Sequence, residues 1–300
     1  MLESTTTYYT IADHVVKIVD HIGLDLDRAL PSFRPFGDLI SDTAPMLTFD
    51  IRERQDMEPL PARETLSDVS VIWLESFRFE ESENCYFTSI LAQEHSGDWL
   101  MSSEKDFSHS VIYPIANEIY NTTKLSWLIM VAFGQACLAH RTLLIHASVV
   151  ENGEAAVAFL GKSGTGKSTH SRLWMAHNPN IRLLNDDNPA IRILEGNKVM
   201  VYGTPWSGKT HCYRNARLPL VSIIRLEQSA KNEIFLRTGM FALTALLPSG
   251  SAIRWSSKLY GQMLNNLEEI LASVKVGHLK CLPNAEAAEL SHSFAFERRM

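Results

Sequence analysis

The segment at residues 161–168, GKSGTGKS, constrains this 300-residue chain more than any other. It matches the pattern G-x-x-x-x-G-K-[ST], in which glycines let backbone N–H groups turn towards one anion. The lysine of this pattern reaches the β- and γ-phosphates of a nucleotide, and the hydroxyl that follows is a ligand for Mg²⁺. The residues that we assign to nucleotide binding on this basis are Gly161, Ser163, Gly164, Thr165, Gly166, Lys167, Ser168 and Thr169.

The neighbouring residues have the order that a phosphate-binding loop requires. Residues 155–160, AAVAFL, are typical of a buried strand, and residues 168–176 are typical of a helix. An earlier apolar run at 143–150 predicts a second strand, and the turn ENGE at 151–154 predicts a hairpin between the two strands. A hairpin therefore leads into the loop, unlike the arrangement in a simple βαβ nucleotide fold. This context argues against a chance match.

The two parts of the chain differ in pattern. Residues 1–120 contain short strand-like runs, such as 8–18 and 86–92, and no motif of known chemistry. We expect a β-rich N-terminal region of unassigned role there. Residues 121–300 contain the glycine-rich loop and are expected to form the nucleotide-binding domain. The predicted fold class is mixed α/β (α+β).

Composition argues against several classes of function. A net charge of −6 disfavours non-specific binding to nucleic acid. The most apolar stretch, at 125–139, is too short to span a bilayer and predicts a buried helix. The four cysteines are scattered, and the N-terminus resembles no signal peptide. We therefore expect a cytoplasmic protein with no nucleic-acid or membrane partner.

Two adjacent carboxylates follow the next predicted strand, at 181–184. Asp186 and Asp187 come after the glycine-rich loop, where a second group is needed to hold Mg²⁺. One aspartate can face the metal while the other accepts a proton from an attacking hydroxyl. The alternative is a polar turn in which the aspartates only cap the backbone.

Three further residues are candidates for the same site. His146 lies on the predicted strand 143–150, and it can contact either the transferred phosphoryl group or its acceptor. The alternative is a buried structural histidine. Lys209 and Arg214 belong to a polar, basic segment that can hold phosphate charge or an anionic acceptor. The alternative for these two is a solvated loop.

The order of these motifs resembles the HPr kinase/phosphorylase family. The resemblance is carried by His146 before a hairpin, by the loop at 161–168, and by Asp186 and Asp187 at the next strand end. It covers about residues 140–290, and the nucleotide core of that family is related to the core of phosphoenolpyruvate carboxykinases. The resemblance therefore implies a P-loop nucleotide core of that type. The glycine-rich signature that follows the core in true HPr kinases is absent, so the acceptor is not indicated.

The resemblance also implies roles for individual residues. It implies an ATP- and Mg²⁺-dependent phosphotransferase that acts on a serine hydroxyl, and it implies a homo-oligomer. Lys167 and Ser168 would hold phosphates and metal, and Asp186 would lie near Mg²⁺. Asp187 would be the catalytic base, and His146 would be its partner in the active site.

Three functions compete on these grounds. The main hypothesis is a kinase that moves the γ-phosphate of ATP to a hydroxyl of a protein, a peptide or a small molecule. The second is a nucleotide-binding regulatory or accessory module with slow or no hydrolysis. The third is a carboxykinase-like enzyme, in which Lys209 and Arg214 would bind the carboxylates of a small organic acid.

Overall fold

The computed structural model describes residues 4–38, 43–72, 75–92 and 97–297. The chain divides into two compact units after Cys137. Each unit contains a mixed β-sheet, and the fold is mixed α/β. Among the helices of the described ranges, none combines the length and the apolar character needed to cross a bilayer.

The first unit is built on one sheet that has nine strands within the described residues. The strands are β1 (Thr5–Ile11), β2 (His14–Asp20), β3 (Gly37–Asp38), β4 (Leu47–Ile51), β5 (Glu64–Ile72), β6 (Glu75–Glu81), β7 (Cys85–Ile90), β8 (Trp99–Glu104) and β9 (His109–Tyr113). Their order across the sheet is β3-β1-β2-β4-β9-β8-β7-β6-β5, and β4 runs parallel to both β2 and β9. The helices of this unit are α1 (Leu26–Ala29) and α2 (Lys124–Ala136).

Helix α2 accounts for the difference between the observed division and the expected boundary near residue 120. The ring of Trp127 on this helix lies 6.4 Å from that of Phe77, and the ring of Phe133 lies 6.3 Å from that of His14. Because these partners belong to the first unit, the apolar helix packs there and the division falls after it.

Residues 8–18, which we expected to form one strand, belong to two strands. β1 and β2 pair antiparallel, and the tight turn between them places Ala12 and Asp13 at φ angles of 52° and 59°. A turn of this kind normally uses glycine or asparagine, because these residues tolerate a positive φ. The sequence lacks both residues at this turn, so the hairpin was missed.

The second unit contains the glycine-rich loop. Its strands are β10 (Thr142–Leu144), β11 (Ala147–Glu151), β12 (Ala156–Leu160), β13 (Arg182–Asp187), β14 (Ala190–Ile193), β15 (Val199–Tyr202), β16 (Arg217–Gln228), β17 (Glu233–Arg237) and β18 (Lys275–Cys281). Its helices are α3 (Lys167–His177), α4 (Gly239–Leu246), α5 (Ser257–Ser273) and α6 (Ala285–Phe296).

The strand order places the loop in the middle of the sheet. The central strands run in the order β13-β11-β12-β16-β18-β17. β16 runs parallel to both of its neighbours in this order, β12 and β18. β15, β14 and β10 extend the sheet from the first residues of β16. Helices α3 and α6 pack on one face, where Phe159, Trp174, Ile224 and Phe294 share one buried apolar cluster. The carboxyl end of β12 leads directly into the loop.

The predicted hairpin before the loop is confirmed, because β11 and β12 pair antiparallel on either side of residues 152–155. The single strand predicted at 143–150 is wrong. It is interrupted at Ile145 and His146, since β10 pairs with β14 whereas β11 pairs with β12 and β13. A continuous apolar run does not reveal such a change of partner. The strand predicted at 181–184 continues to Asp187, so both aspartates are part of β13.

The pairing of β13 with β11 contains a β-bulge. Val149 pairs with Asn185, while the next residue, Val150, pairs with Leu183. Leu184 is therefore an extra residue on β13. Beyond it, Asp186 lies opposite Ser148, whose hydroxyl is 2.7 Å from that of Ser171 on α3.

Buried His170 on α3 predicts a pH-dependent stability. Its Nε2 is 2.9 Å from Ser291 Oγ, and burial lowers the pKa of His170 from 6.5 to about 4. As the pH falls from 6.5 towards 4, the unfolded chain takes up a proton that the folded state does not. We expect the free energy of unfolding to fall by on the order of 3 kcal/mol across this window.

Chemical denaturation between pH 4 and pH 7 measures this effect. The His170→Gln variant should show a flatter pH dependence. His177→Gln, at a side chain 42% exposed, serves as the control and should keep the dependence of the unmodified protein. Equal slopes for His170→Gln and the unmodified protein would contradict the assignment.

Candidate functional site

The loop between β12 and α3 contains two glycines in the left-handed region of backbone conformation. Gly164 and Gly166 have φ angles of 79° and 108°, which favour glycine. A Cβ atom on Gly161 would lie 3.0 Å from Thr165 Cβ, which is tighter than an ordinary contact, so glycine leaves room for the Thr165 side chain. Residues 162–164 are exposed. No side chain caps the first turn of α3, whose N–H groups are thus available to an anion.

Ser168 and Asp186 form a hydrogen-bonded pair of side-chain oxygens beside this loop. Ser168 Oγ donates to Asp186 Oδ1 at 2.9 Å, and Thr210 Oγ1 donates to Asp186 Oδ2 at 2.8 Å. Asp186 is buried, with 7% of its surface exposed. Both carboxylate oxygens are therefore held in place by hydroxyl groups.

The geometry of this pair fits Mg²⁺. Ligands at about 2.0–2.1 Å in neighbouring positions of an octahedron are about 2.9 Å apart. This equals the separation of Ser168 Oγ from Asp186 Oδ1. Within the described ranges, no group of three or more His, Cys, Asp or Glu side chains is placed to hold a metal. Mg²⁺ is usually bound by one or two carboxylates together with substrate phosphates and water.

A second set of contacts joins Asp187, His146 and Lys167. His146 Nδ1 is 2.8 Å from Asp187 Oδ1, and His146 Nε2 is 2.8 Å from Lys167 Nζ. Lys167 Nζ also donates to the carbonyl oxygen of Gly161 at 3.1 Å. Burial lowers the pKa of Lys167, and the charges of Asp187 and Asp186 partly oppose this effect. The interruption between β10 and β11 thus places His146 at the loop.

The segment at residues 204–210 is fixed against the end of β13. The side-chain amide of Asn185, which is fully buried, donates to Thr204 and to the carbonyl oxygen of Trp206. The N–H of Gly208 donates to the carbonyl oxygen of Asp186 at 2.7 Å. A Cβ atom on Gly208 would lie 3.0 Å from that oxygen, so glycine allows the close approach.

Two contact residues were missed in the sequence. Thr210 lies one position after Lys209, which drew attention to this segment for its charge rather than for its hydroxyl group. Gln228 ends β16, and its Nε2 donates to the carbonyl oxygen of Gly164 at 3.4 Å. No local pattern indicates the second contact, because β16 is far from the loop in sequence.

The structure does not bring all the expected residues together. Ser163 lies exposed within the loop, and Thr169 lies exposed in the first turn of α3. Lys209 lies exposed on the segment that contacts Asp186. Arg214 lies elsewhere. Its Nη1 is 3.0 Å from Glu151 Oε1, at the end of β11 away from the residue that pairs with Asp187.

The partner of Arg214 explains its position. Glu151 is only 4% exposed, and a buried carboxylate needs a cation or hydrogen-bond donors. Arg214 Nη1 also donates to the carbonyl oxygen of Leu183 at 2.7 Å. Arg214 therefore has a structural role, and the anionic-substrate role considered above is not supported by its contacts.

This placement predicts separate effects for the two cations. Arg214→Gln should lower the free energy of unfolding by about 1–3 kcal/mol, because Glu151 loses its ionic partner. It should leave nucleotide affinity unchanged. Lys209→Gln is the matched control, and it should leave stability unchanged. Thermal denaturation and calorimetric titration measure the two quantities, and a stable Arg214→Gln variant with lost affinity would contradict the placement.

Comparisons with known proteins add little to this geometry. No protein-family model and no curated protein matches the chain. Among solved structures, it is similar to the Hpr(Ser) kinase/phosphatase from Coxiella burnetii, with 13% sequence identity and a TM-score of 0.31. The match covers 50% of this chain and 91% of that chain. At these values the likeness establishes neither a family nor a function.

Proposed function

We propose that this protein is an ATP- and Mg²⁺-dependent phosphotransferase that moves the γ-phosphoryl group to a hydroxyl. The observation that carries the proposal is that two pairs of side chains in contact lie beside the same loop. Ser168 and Asp186 offer neighbouring oxygen ligands, and Asp187 with His146 offers a hydrogen-bonded acid–base pair. Phosphoryl transfer requires little more than positioning, charge neutralisation and a group that orients the nucleophile.

The residues divide into two functional groups. The N–H groups of the loop and the ammonium of Lys167 bind phosphate oxygens. Ser168 and Asp186 would hold the metal, which supplies neutralisation of the charge on the phosphates. Thr210 holds the second oxygen of Asp186 and so keeps the first one directed at Ser168.

The pair of Asp187 and His146 takes the proton of the acceptor hydroxyl. A carboxylate and an imidazole in contact form a common general-base arrangement. The acceptor is a hydroxyl group on a protein, a peptide or a small molecule. Arg214 forms its ion pair with Glu151 away from the site. One of the two cations that a carboxykinase-like reaction would use is therefore not available to an acceptor there.

A second candidate is a nucleotide-binding module without phosphoryl transfer. It would use the loop and the oxygen pair of Ser168 and Asp186, but it would not need the contact between Asp187 and His146. A module of this kind would bind ATP with Mg²⁺ and release it unchanged.

Transfer of a labelled γ-phosphate decides between these functions. ATP labelled at this position is incubated with Mg²⁺, the protein and a mixture of hydroxyl-bearing peptides and small molecules, with Lys167→Met as the negative control. Label in an ester-bound phosphate, absent from the control, supports the kinase. Tight binding with no transfer to any acceptor supports the module, and no binding of ATP would overturn both.

A further inference from the structure

We infer that Nε2 of His146 is the group that accepts the hydroxyl proton, and that Lys167 covers this atom until phosphate draws the lysine away. The inference rests on the proposed function, because it names the proton acceptor of the same reaction. Asp187 then acts as a positioning residue for the imidazole instead of acting as the base itself.

The contacts of His146 define its protonation. An ammonium group has donors and no acceptor, so Lys167 donates to Nε2 across 2.8 Å. Nε2 must then present its lone pair. The proton of the neutral ring lies on Nδ1, and it is donated to Asp187 Oδ1 at 2.8 Å. Asp187 thus selects the tautomer whose Nε2 is able to take a proton.

Lys167 donates a hydrogen bond to the lone pair of His146 Nε2 in the structure. Its Nζ is turned towards the start of the loop, where it contacts both His146 and the carbonyl oxygen of Gly161. The lysine of this loop pattern serves nucleotides by contacting their β- and γ-phosphates. A phosphate oxygen carries negative charge and Nε2 of a neutral imidazole does not, so phosphate adds a Coulomb attraction for the ammonium to the hydrogen bond. Phosphate therefore competes well for Lys167 and releases Nε2.

The transfer step is balanced with His146 as acceptor. The O–H bond of the acceptor hydroxyl breaks, and its oxygen forms a bond to the γ-phosphorus. The bond between the γ-phosphorus and the oxygen that bridges it to the β-phosphorus breaks, and the electron pair stays on that oxygen of the leaving ADP. The proton forms a bond to Nε2 of His146, and the adjacent carboxylate of Asp187 stabilises the resulting imidazolium.

Side-chain nitrogen NMR of histidine tests the first half of the inference. In the ligand-free protein labelled with ¹⁵N-histidine, we expect His146 to carry its proton on Nδ1 and to have a hydrogen-bonded, unprotonated Nε2. Tripolyphosphate or ATP with Mg²⁺ should shift the Nε2 resonance. Lys167→Met should show the shifted position without any ligand, because the donor is missing. Lys162→Met changes an exposed lysine of the same loop and should leave the resonance unchanged.

Hydrolysis of ATP, with water as acceptor, tests the second half. His146→Gln retains an acceptor for Lys167 but cannot carry the proton. We expect it to lower the rate by about 10²–10⁴-fold. Asp187→Asn should lower the rate in the single variant, and the double variant should be no slower than His146→Gln alone. If Asp187 is the base, His146→Gln keeps most of the rate and the double variant matches Asp187→Asn.

The outcomes separate this inference from the proposed function. If ATP and tripolyphosphate fail to bind by calorimetry, the proposed function fails. If they bind while the Nε2 resonance of His146 stays in place, or if the free protein carries its proton on Nε2, this inference is overturned and the kinase proposal stands. A shifted resonance together with full activity of His146→Gln also overturns it.

Discussion

Replacing Lys167 with methionine should weaken the binding of ATP with Mg²⁺ while leaving the fold intact. The ammonium is the only fully charged donor that the loop pattern places on the phosphates. Loss of a charged hydrogen bond costs about 1.5–3 kcal/mol, which corresponds to a roughly 10- to 150-fold increase in Kd. Stability should be unchanged or higher, because burial already lowers the pKa of Lys167 and so disfavours its charge.

Calorimetric titration and thermal denaturation measure both parts of this expectation. Lys162→Met is the matched control, since it removes an exposed lysine from the same loop. Its affinity should equal that of the unmodified protein. Equal affinities for Lys167→Met and the unmodified protein would remove the basis for a phosphate site at this loop.

The two neighbouring aspartates should give different defects when each is changed to asparagine. Asp186→Asn should raise the Mg²⁺ concentration needed for activity, because a ligand loses its charge beside Ser168. Asp187→Asn should keep the Mg²⁺ requirement and lower the transfer rate by about 10²–10⁴-fold. The reason is that this carboxylate contacts His146 instead of Ser168.

Rates measured over a series of Mg²⁺ concentrations separate the two effects. Thr210→Val adds a useful comparison, since it removes the donor on the second oxygen of Asp186 and leaves Asp187 unchanged. It should shift the Mg²⁺ requirement in the same direction as Asp186→Asn, but by less. If saturating Mg²⁺ restores Asp187→Asn and not Asp186→Asn, the division of roles is reversed.

The features that sequence predicts well are those set by neighbouring residues. The loop at 161–168 and the hairpin before it depend on glycine and on an Asn-Gly turn, so local chemistry is enough to find them. Asn284 accepts from the N–H of Ala287 at the start of α6, and a cap of this kind is readable in sequence because its signal lies within one turn.

The features that sequence misses depend on distant partners. The interruption at His146 arises because β10 and β11 pair with different strands, which an apolar run cannot show. The role of Arg214 depends on Glu151, a residue that becomes buried only when β11 is paired on both sides. Thr210 contacts Asp186 on a segment that the N–H of Gly208 joins to the carbonyl oxygen of Asp186.

The bulge at Leu184 determines which aspartate lies beside Ser168. If β13 alternated regularly from Leu183, whose side chain packs on the face covered by α3, Asp187 would point to that face and Asp186 away from it. The extra residue reverses this phase, so that Asp186 meets Ser168 and Asp187 meets His146. Two chemically identical side chains thus acquire different partners from a single irregularity in strand pairing. In a regular strand, the faces on which the two carboxylates lie would be exchanged.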